Sequence, residues 1–369
     1  MSISPRKRPA PDVLVAAAVV VVLVALVIAV FLSGLGSSLY PPNAATTEAH
    51  DVHGLYDIVF AFAVAIFLVV ESLIVWSVIR YRRRPTDTSL PAQTHGNNLV
   101  EVIWTLIPTA IVLFLFVISW QTLNTVNAVT ATPDIRIHAI ASQFQWQFEY
   151  LDNNGQKVAT QLTPQYDPAT GLGGMAVPVG RSIQVTLDSP DVIHAFYVPR
   201  FLFKRDVVPG VTNKFDFTVQ TSDAGQIFRG QCAELCGTGH RTMLFSVVAM
   251  TQSDYDNWLK ALIEKSNATP APLPSGTTLH VSAQNIKFDT DSLEVPANAP
   301  FAIAFDNKDV AGITHNIEIK DSGGNVLQTQ DPIDGGTSAN YVYTPLPPGT
   351  YTFFCSIHPG VMTGTLTVK

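Results

Sequence analysis

Three apolar runs dictate the form of the first third of this chain. Val13–Leu32 holds no charge, Ile58–Ile79 carries one (Glu71), and Val102–Leu123 has Pro108 in its first half with Trp104 and Trp120 near its ends. An α-helix of about 20 such residues crosses the hydrocarbon layer of a bilayer while satisfying its own backbone groups. The balance of the whole chain, 47% hydrophobic against 14% charged, also fits a protein with membrane segments. Basic clusters set the orientation, because Arg and Lys stay on the cytoplasmic side. Arg6, Lys7 and Arg8 precede the first run, and Arg80, Arg82, Arg83 and Arg84 follow the second. Ser33–Asp57, free of Arg and Lys, and everything after Leu123 are then expected outside.

The first run has two readings. A basic start, an apolar core and the small residues SGLGSS are the parts of a cleaved signal peptide, but the core is longer than the usual ~7–15 residues. No Cys follows to accept a lipid. A retained helix is the expectation, with cleavage left open. Residues 1–36 are thus a signal peptide or an extra transmembrane helix. Residues 37–126 are expected to form a transmembrane hairpin with helices over about 57–80 and 101–123.

Past the hairpin the hydrophobic period changes. Ile135, Ile137, Ala139 and Ala141 alternate with polar residues, as do Ile183–Leu187 and Lys214–Val219, the pattern of half-buried strands. Turns such as PVGR and VPGV between them indicate a β-sandwich or barrel. Ser253–Lys265 reads as an amphipathic helix with Tyr255, Trp258, Leu259 and Leu262 on one face, opened by a capping box of Ser253 and Asp256. The Pro- and Ala-rich stretch over 266–277 is a linker, able to span on the order of 30 Å if extended. From Asn124 onward 22 acids face 15 bases, which excludes a nucleic-acid partner.

The chemistry gathers in GQCAELCGTGHRTM, Gly230–Met243. Two thiols, an imidazole and a thioether (Cys232, Cys236, His240, Met243) form a soft donor set that suits copper better than magnesium or calcium. A Cys232–Cys236 disulfide in a secreted loop is the competing reading. It would not require Glu234, His240 and Met243 at these offsets. Asp191, three residues before His194 in DVIHAFYVPRF, is placed to support an imidazole from behind.

The Gly230–Met243 loop closely resembles the copper loop of cytochrome c oxidase subunit II, and the resemblance extends over roughly Val52 to Lys265. It implies a dinuclear CuA centre held by His194, Cys232, the Glu234 main-chain carbonyl, Cys236, His240 and Met243. It further implies that the Glu234 carboxylate faces a magnesium ion shared with subunit I. Glu101, in LVEVIWTLIP, matches a subunit II pattern in which a Glu lies at the cytoplasmic mouth of a proton channel; an acid favoured by the dipole at a helix N-terminus is the alternative. The segment ASQFQWQFEY resembles the aromatic strand of the family. Where the family has an exposed Trp that receives electrons from cytochrome c, this chain has Phe144, while the second Trp is kept as Trp146. That departure puts cytochrome c as donor in doubt. Glu71 has no assigned role.

A second set occupies Thr278–Lys369. His315 lies in THNIEI, and Cys355, His358 and Met362 lie in YTFFCSIHPGVMTGTLTV. Two His, one Cys and an axial Met make the type 1 copper site of electron carriers. The flanking strands resemble those of plastocyanin-like cupredoxins. A buried free Cys beside two structural His is the bland alternative. His53, His95, His138 and His280 match no motif and read as surface or packing residues. No C-x-x-C-H occurs, so no c-type haem is attached.

The fold class that follows is a membrane-anchored all-β protein. It has two or three N-terminal transmembrane helices and then two cupredoxin-type Greek-key β-sandwich domains, over 127–265 and 278–369. The resemblance implies a non-catalytic electron-transfer subunit of a proton-pumping haem-copper oxidase, partnered by subunit I and subunit III. Its upstream donor is a quinol-oxidising complex, another cupredoxin or cytochrome c. The expected location is a bacterial plasma membrane, with both copper domains on the outer face. The expected cofactors are two copper ions in CuA, one type 1 copper, and magnesium at the subunit I boundary. A CuA-containing nitric oxide reductase subunit and a membrane-anchored copper chaperone or store are the rival readings.

Overall fold

The computed structural model describes residues 18–22, 24–26, 28–29, 40–81, 95–162, 173–267, 272 and 276–369. The question of cleavage within 1–36, the basic clusters at Arg6–Arg8 and Arg82–Arg84, and most of the linker fall outside the described residues. The chain divides into two compact units, one formed by 1–44 and 48–126, the other by 45–47 and 127–369.

The first unit contains α1 (Thr47–Arg80) and α2 (Asn98–Asn127). The apolar windows of both helices are unburied within the protein. Such lengths of apolar surface have lipid as their natural solvent. Both helices begin earlier than hydropathy alone suggests, because caps rather than apolarity fix helix ends. At α2 the Asn97 side chain accepts from the amides of Leu99 and Val100, while Glu101 accepts from the Asn97 amide. This reciprocal pairing resembles a capping box with the acid one position further along, and it places Glu101 in the first turn of the helix.

The second unit holds two β-sandwiches built on one plan. In the first, one sheet runs Lys157–Leu162 (β3), Gln145–Leu151 (β2), Ile135–Ser142 (β1), Ile183–Asp188 (β5), Asn213–Phe217 (β8). The facing sheet runs Met175–Pro178 (β4), Leu244–Met250 (β10), Ile227–Cys232 (β9), His194–Val198 (β6), Phe203–Val207 (β7). Trp146, Phe148, Phe196, Phe215 and Phe245 are buried between them, with Phe196 and Phe245 4.7 Å apart by ring centroids. Edge and tilted ring contacts of this kind add to the area they bury. Gly230 is required here, since a Cβ on it would lie 2.3 Å from the Phe245 ring on the neighbouring strand.

Helix α3 (Gln252–Ser266) closes this sandwich, burying Tyr255 and Leu262 and setting Trp258 against Tyr150. Its cap is Thr251 with Asp254, not Ser253 with Asp256. Both pairs satisfy the same spacing, and the helix starts as soon as β10 ends.

In the second sandwich one sheet runs Thr277–Ala283 (β11), Phe301–Asn307 (β13), Thr337–Tyr343 (β16). The other runs Ser292–Val295 (β12), Thr363–Val368 (β18), Gly349–Phe354 (β17), Glu318–Lys320 (β14), Val326–Gln328 (β15). Phe301, Ile303, Phe305, Tyr341, Tyr343, Phe353 and Leu366 fill its core. Gly364 repeats the Gly230 device, because a Cβ there would stand 2.2 Å from the Phe353 ring.

The two sandwiches meet through matched polar groups. Ser142 Oγ donates to the Gly312 carbonyl (2.8 Å), Gln147 Nε2 to Asp334 Oδ2 (2.9 Å), and His358 Nε2 to the Gln143 carbonyl (2.8 Å). Ser142, Gln147 and His358 are all buried.

Candidate metal centres

Each sandwich places its soft donors in the same way. The loop after β9 returns into β10, and Phe196 of the adjacent β6 is paired with Cys232. His194, the first residue of β6, therefore stands beside the loop. In the second sandwich β17 ends at Phe354, one residue before Cys355, and β18 begins at Thr363, one residue after Met362. Glu318, opening β14, pairs with Phe354, which sets His315 above the same loop.

At the first site the Cys232 and Cys236 sulfurs are 4.0 Å apart and not bonded to each other. His194 Nδ1 is 3.8 Å from Cys232 Sγ, His240 Nδ1 is 3.6 Å from Cys236 Sγ, and Met243 Sδ is 3.9 Å from Cys236 Sγ. The Glu234 carbonyl lies 3.2 Å from Cys232 Sγ, while the Glu234 side chain is exposed. Burial works against charge on Cys232, but the His194 imidazole and the backbone around Glu234 and Ala195 together overcome it and bring the thiol down to about 7. Burial and the neighbouring Cys232 charge push Cys236 up to about 12. Without a cation the pair resists double ionisation; a metal removes that conflict.

At the second site His315 Nδ1 and His358 Nδ1 are each 3.8 Å from Cys355 Sγ. Cys355, His315 and Met362 are fully buried. Burial, with the His315 ring beside it, brings the His358 imidazole down to about 4. A neutral imidazole is the form that ligates metal. Asn316 locks the two ligand-bearing segments together. Its Oδ1 accepts from the Ser356 amide (2.9 Å) and its Nδ2 donates to the Gln330 carbonyl (2.9 Å).

Three of the four imidazoles share one arrangement. His194 Nε2 lies 2.9 Å from Asp191 Oδ1, His315 Nε2 lies 2.7 Å from Asp309 Oδ2, and His358 Nε2 lies against the Gln143 carbonyl. An acceptor at Nε2 keeps the proton there and leaves the Nδ1 lone pair facing the sulfur, as metal-ligating His residues require. Both donor sets therefore fit a soft cation. Asp191 stands where the sequence suggests. Asp309 and Gln143 were not legible, although an acid upstream of the first His in both motifs is a shared signal.

Phe144 is half-buried, its ring against Gly237 and Gly239 of the loop after β9; a Cβ on Gly239 would meet it at 2.4 Å. Trp146 lies in the core, 5.0 Å from the Phe245 ring. His138 sits between Glu149 (3.0 Å) and Asp188 (2.8 Å), and Lys157 reaches Glu149 at 2.9 Å.

Comparison with known proteins divides the chain into three matches. The family model for the cytochrome c oxidase subunit II transmembrane domain matches residues 34–122, that for its periplasmic domain matches 135–250, and a cupredoxin-like domain matches 258–368. The probable cytochrome c oxidase subunit 2 of Streptomyces avermitilis is 30% identical over 269 residues, covering 65% of this chain and 83% of that one. Cytochrome c oxidase subunit 2 of Synechocystis sp. is 31% identical over 275 residues, covering 64% and 80%. Among solved structures, the periplasmic domain of cytochrome oxidase subunit II from Bradyrhizobium japonicum is 31% identical with a TM-score of 0.33, covering 37% of this chain and 99% of that one.

Proposed function

This chain belongs to the cytochrome c oxidase subunit II family, with a cupredoxin-like domain at its C-terminus, and from that premise we propose that it is an electron-receiving subunit that carries its own donor. In this reading His194, Cys232, the Glu234 carbonyl, Cys236, His240 and Met243 hold the dinuclear CuA centre. His315, Cys355, His358 and Met362 hold a type 1 copper. Copper in such sets supplies one-electron chemistry with little rearrangement. The chain's own residues keep the donors in place, exclude water and hold the Nε2 protons of His194, His315 and His358. Electrons pass from the C-terminal domain to the first sandwich and on to haem in subunit I. There oxygen is reduced to water with proton pumping.

The observation that carries the reading is the pair of soft donor sets on one unit, each with Nδ1 lone pairs turned on thiol sulfur. Glu101 would serve proton uptake, and the exposed Glu234 carboxylate a magnesium ion shared with subunit I. Subunit III and a bacterial plasma membrane, with both copper domains on its outer face, complete the setting.

The test uses the assembled complex. Cys355→Ser abolishes turnover with the native donor yet leaves an artificial reductant able to drive oxygen consumption through the first site. Unchanged native turnover in this variant would refute the attached-donor role.

A further inference from the structure

Among the contacts between the two sandwiches, one residue touches both donor sets: Gln143, in the turn between β1 and β2. Its carbonyl accepts from His358 Nε2 at 2.8 Å. Its side-chain Nε2 donates to the Cys236 carbonyl at 2.5 Å. Its backbone amide donates to Asp191 Oδ2 at 2.7 Å, and the other oxygen of that carboxylate holds His194 Nε2 at 2.9 Å. One residue thus touches a donor of the second site, a donor of the first, and the carboxylate that orients another.

The surroundings of Gln143 form a built face. Ser142 is 1% exposed with its hydroxyl on the Gly312 carbonyl. Gln147 is 0% exposed with its amide on Asp334. Asp334 in turn accepts from the Gly312 and Gly335 amides at 2.7 and 2.8 Å. Gly312 is a place of close approach, since a Cβ there would stand 2.7 Å from Ile140 Cγ2. Burying a polar group is costly unless it is hydrogen-bonded, and the Ser142 hydroxyl and the Gln147 NH2 find their partners on the other sandwich.

We propose that the second sandwich is held docked on the first, and that Gln143 is the positioning residue that couples the two sites across the join. This rests on the copper reading above. In the docked state electronic coupling from the second site to the first follows the His358 ring, the Gln143 main and side chain, and the Cys236 backbone, with two hydrogen bonds as the only non-covalent links. Coupling through bonds and short hydrogen bonds decays far less steeply than through open space. One electron leaves the second site and one arrives at the first. No bond is made or broken, and His358 keeps its Nε2 proton on the Gln143 carbonyl throughout.

The test separates docking from coupling, using the full-length chain in detergent. Without metal, amide hydrogen exchange reports docking. Segments around Ile140–Gln147 and Val310–His315 exchange slowly in the wild type and faster in Gly312→Val, which drives a side chain into Ile140. Ser142→Phe makes the same intrusion from the opposite face, so damage confined to one sandwich is told apart from separation of the two. Overpacking of ~1–3 kcal/mol lowers the docking equilibrium constant by roughly five- to 150-fold. With copper, Gln143→Met keeps the exchange protection and both visible spectra but slows flash-initiated electron exchange between the sites severalfold. Equal exchange of these segments in wild type and both intruding variants would overturn docking. An unchanged rate in Gln143→Met would overturn the coupling role. Absence of a type 1 spectrum in the wild type would overturn the copper reading beneath it, and the exchange data would still decide docking.

Discussion

Asp309→Asn should raise the reduction potential of the second site without dismantling it. The Asp309 side chain is 10% exposed. Its Oδ2 takes His315 Nε2 at 2.7 Å and the Ile286 amide at 3.1 Å, and its Oδ1 takes the Asn285 amide at 2.6 Å. Burial pushes this carboxyl up, but the hydrogen bonds from His315, Ile286 and Asn285 together overcome it and hold the group below the usual carboxylate range. An Asn at this position must turn its NH2 somewhere. Turned towards Oδ1 it loses one acceptor, and towards Oδ2 it loses two, so the carbonyl stays on His315. The imidazole then keeps its orientation but faces a neutral partner. The difference between a charge-assisted and a neutral hydrogen bond is ~1–2 kcal/mol. It falls mainly on the oxidised site, which carries the extra positive charge, and corresponds to a rise of about 40–80 mV at 59 mV per tenfold. The lost Asn285 contact costs a further ~1–3 kcal/mol of domain stability. Spectroelectrochemistry of the full chain measures the shift, with the first site as internal reference. A potential that stays level with that reference, with the type 1 spectrum intact, would refute the idea that Asp309 tunes this site through His315.

Two more predictions follow from packing and charge. Burial pushes the Glu149 carboxyl up, but hydrogen bonds from His138 and Lys157 overcome it and hold the group down to about 2, against 4.5 when free. Its stabilisation is therefore complete above pH 4.5 and lost as pH falls towards 2, by up to ~3 kcal/mol. Melting temperatures from pH 7 to 3 should fall more steeply in the wild type than in Glu149→Gln, and parallel curves would contradict this. Gly230→Ala and Gly364→Ala place a methyl inside the Phe245 and Phe353 rings respectively; each costs ~1–3 kcal/mol or more. Heating should bleach the first site early in Gly230→Ala and the second site early in Gly364→Ala, and loss of both together in either variant would count against separate cores.

What the sequence disclosed follows from how local the information is. Cys232, Cys236, His240 and Met243 lie within one loop, as do Cys355, His358 and Met362, so spacing alone reveals the donor sets. His194 and His315 are distant in the chain but carry strand patterns around them. The thioether of Met362 and the sulfur of Cys355 are brought together by the pairing of β17 with β18, which alternation predicts. Asp309 escaped notice because five residues of irregular loop separate it from His315, so no periodicity ties them. Gln143 escaped for a stronger reason. Its partner His358 is 215 residues away in another sandwich, and such a contact has no local signature. The cap of α3 was misplaced because Thr251 and Ser253 each precede an Asp by three residues, and the end of β10 decides between them.

The linker and the face between the sandwiches do different work. A short tether raises the local concentration of its domain to roughly the millimolar range, and by itself it specifies no orientation. Electronic coupling needs orientation more than concentration, because a sandwich turned away from the join presents its insulating outer strands to the other site. The buried face supplies that orientation from rigid elements: β1, which carries Ser142, β2, which carries Gln147, and the ligand loop that carries His358. The tether has already met most of the cost of association, so a few matched hydrogen bonds of ~1 kcal/mol each are enough to favour the docked state. The same arithmetic makes docking sensitive to a single intrusion. Gly312 has no side chain, and any residue there would have to displace Ile140, so this close approach of the two sandwiches rests on a glycine.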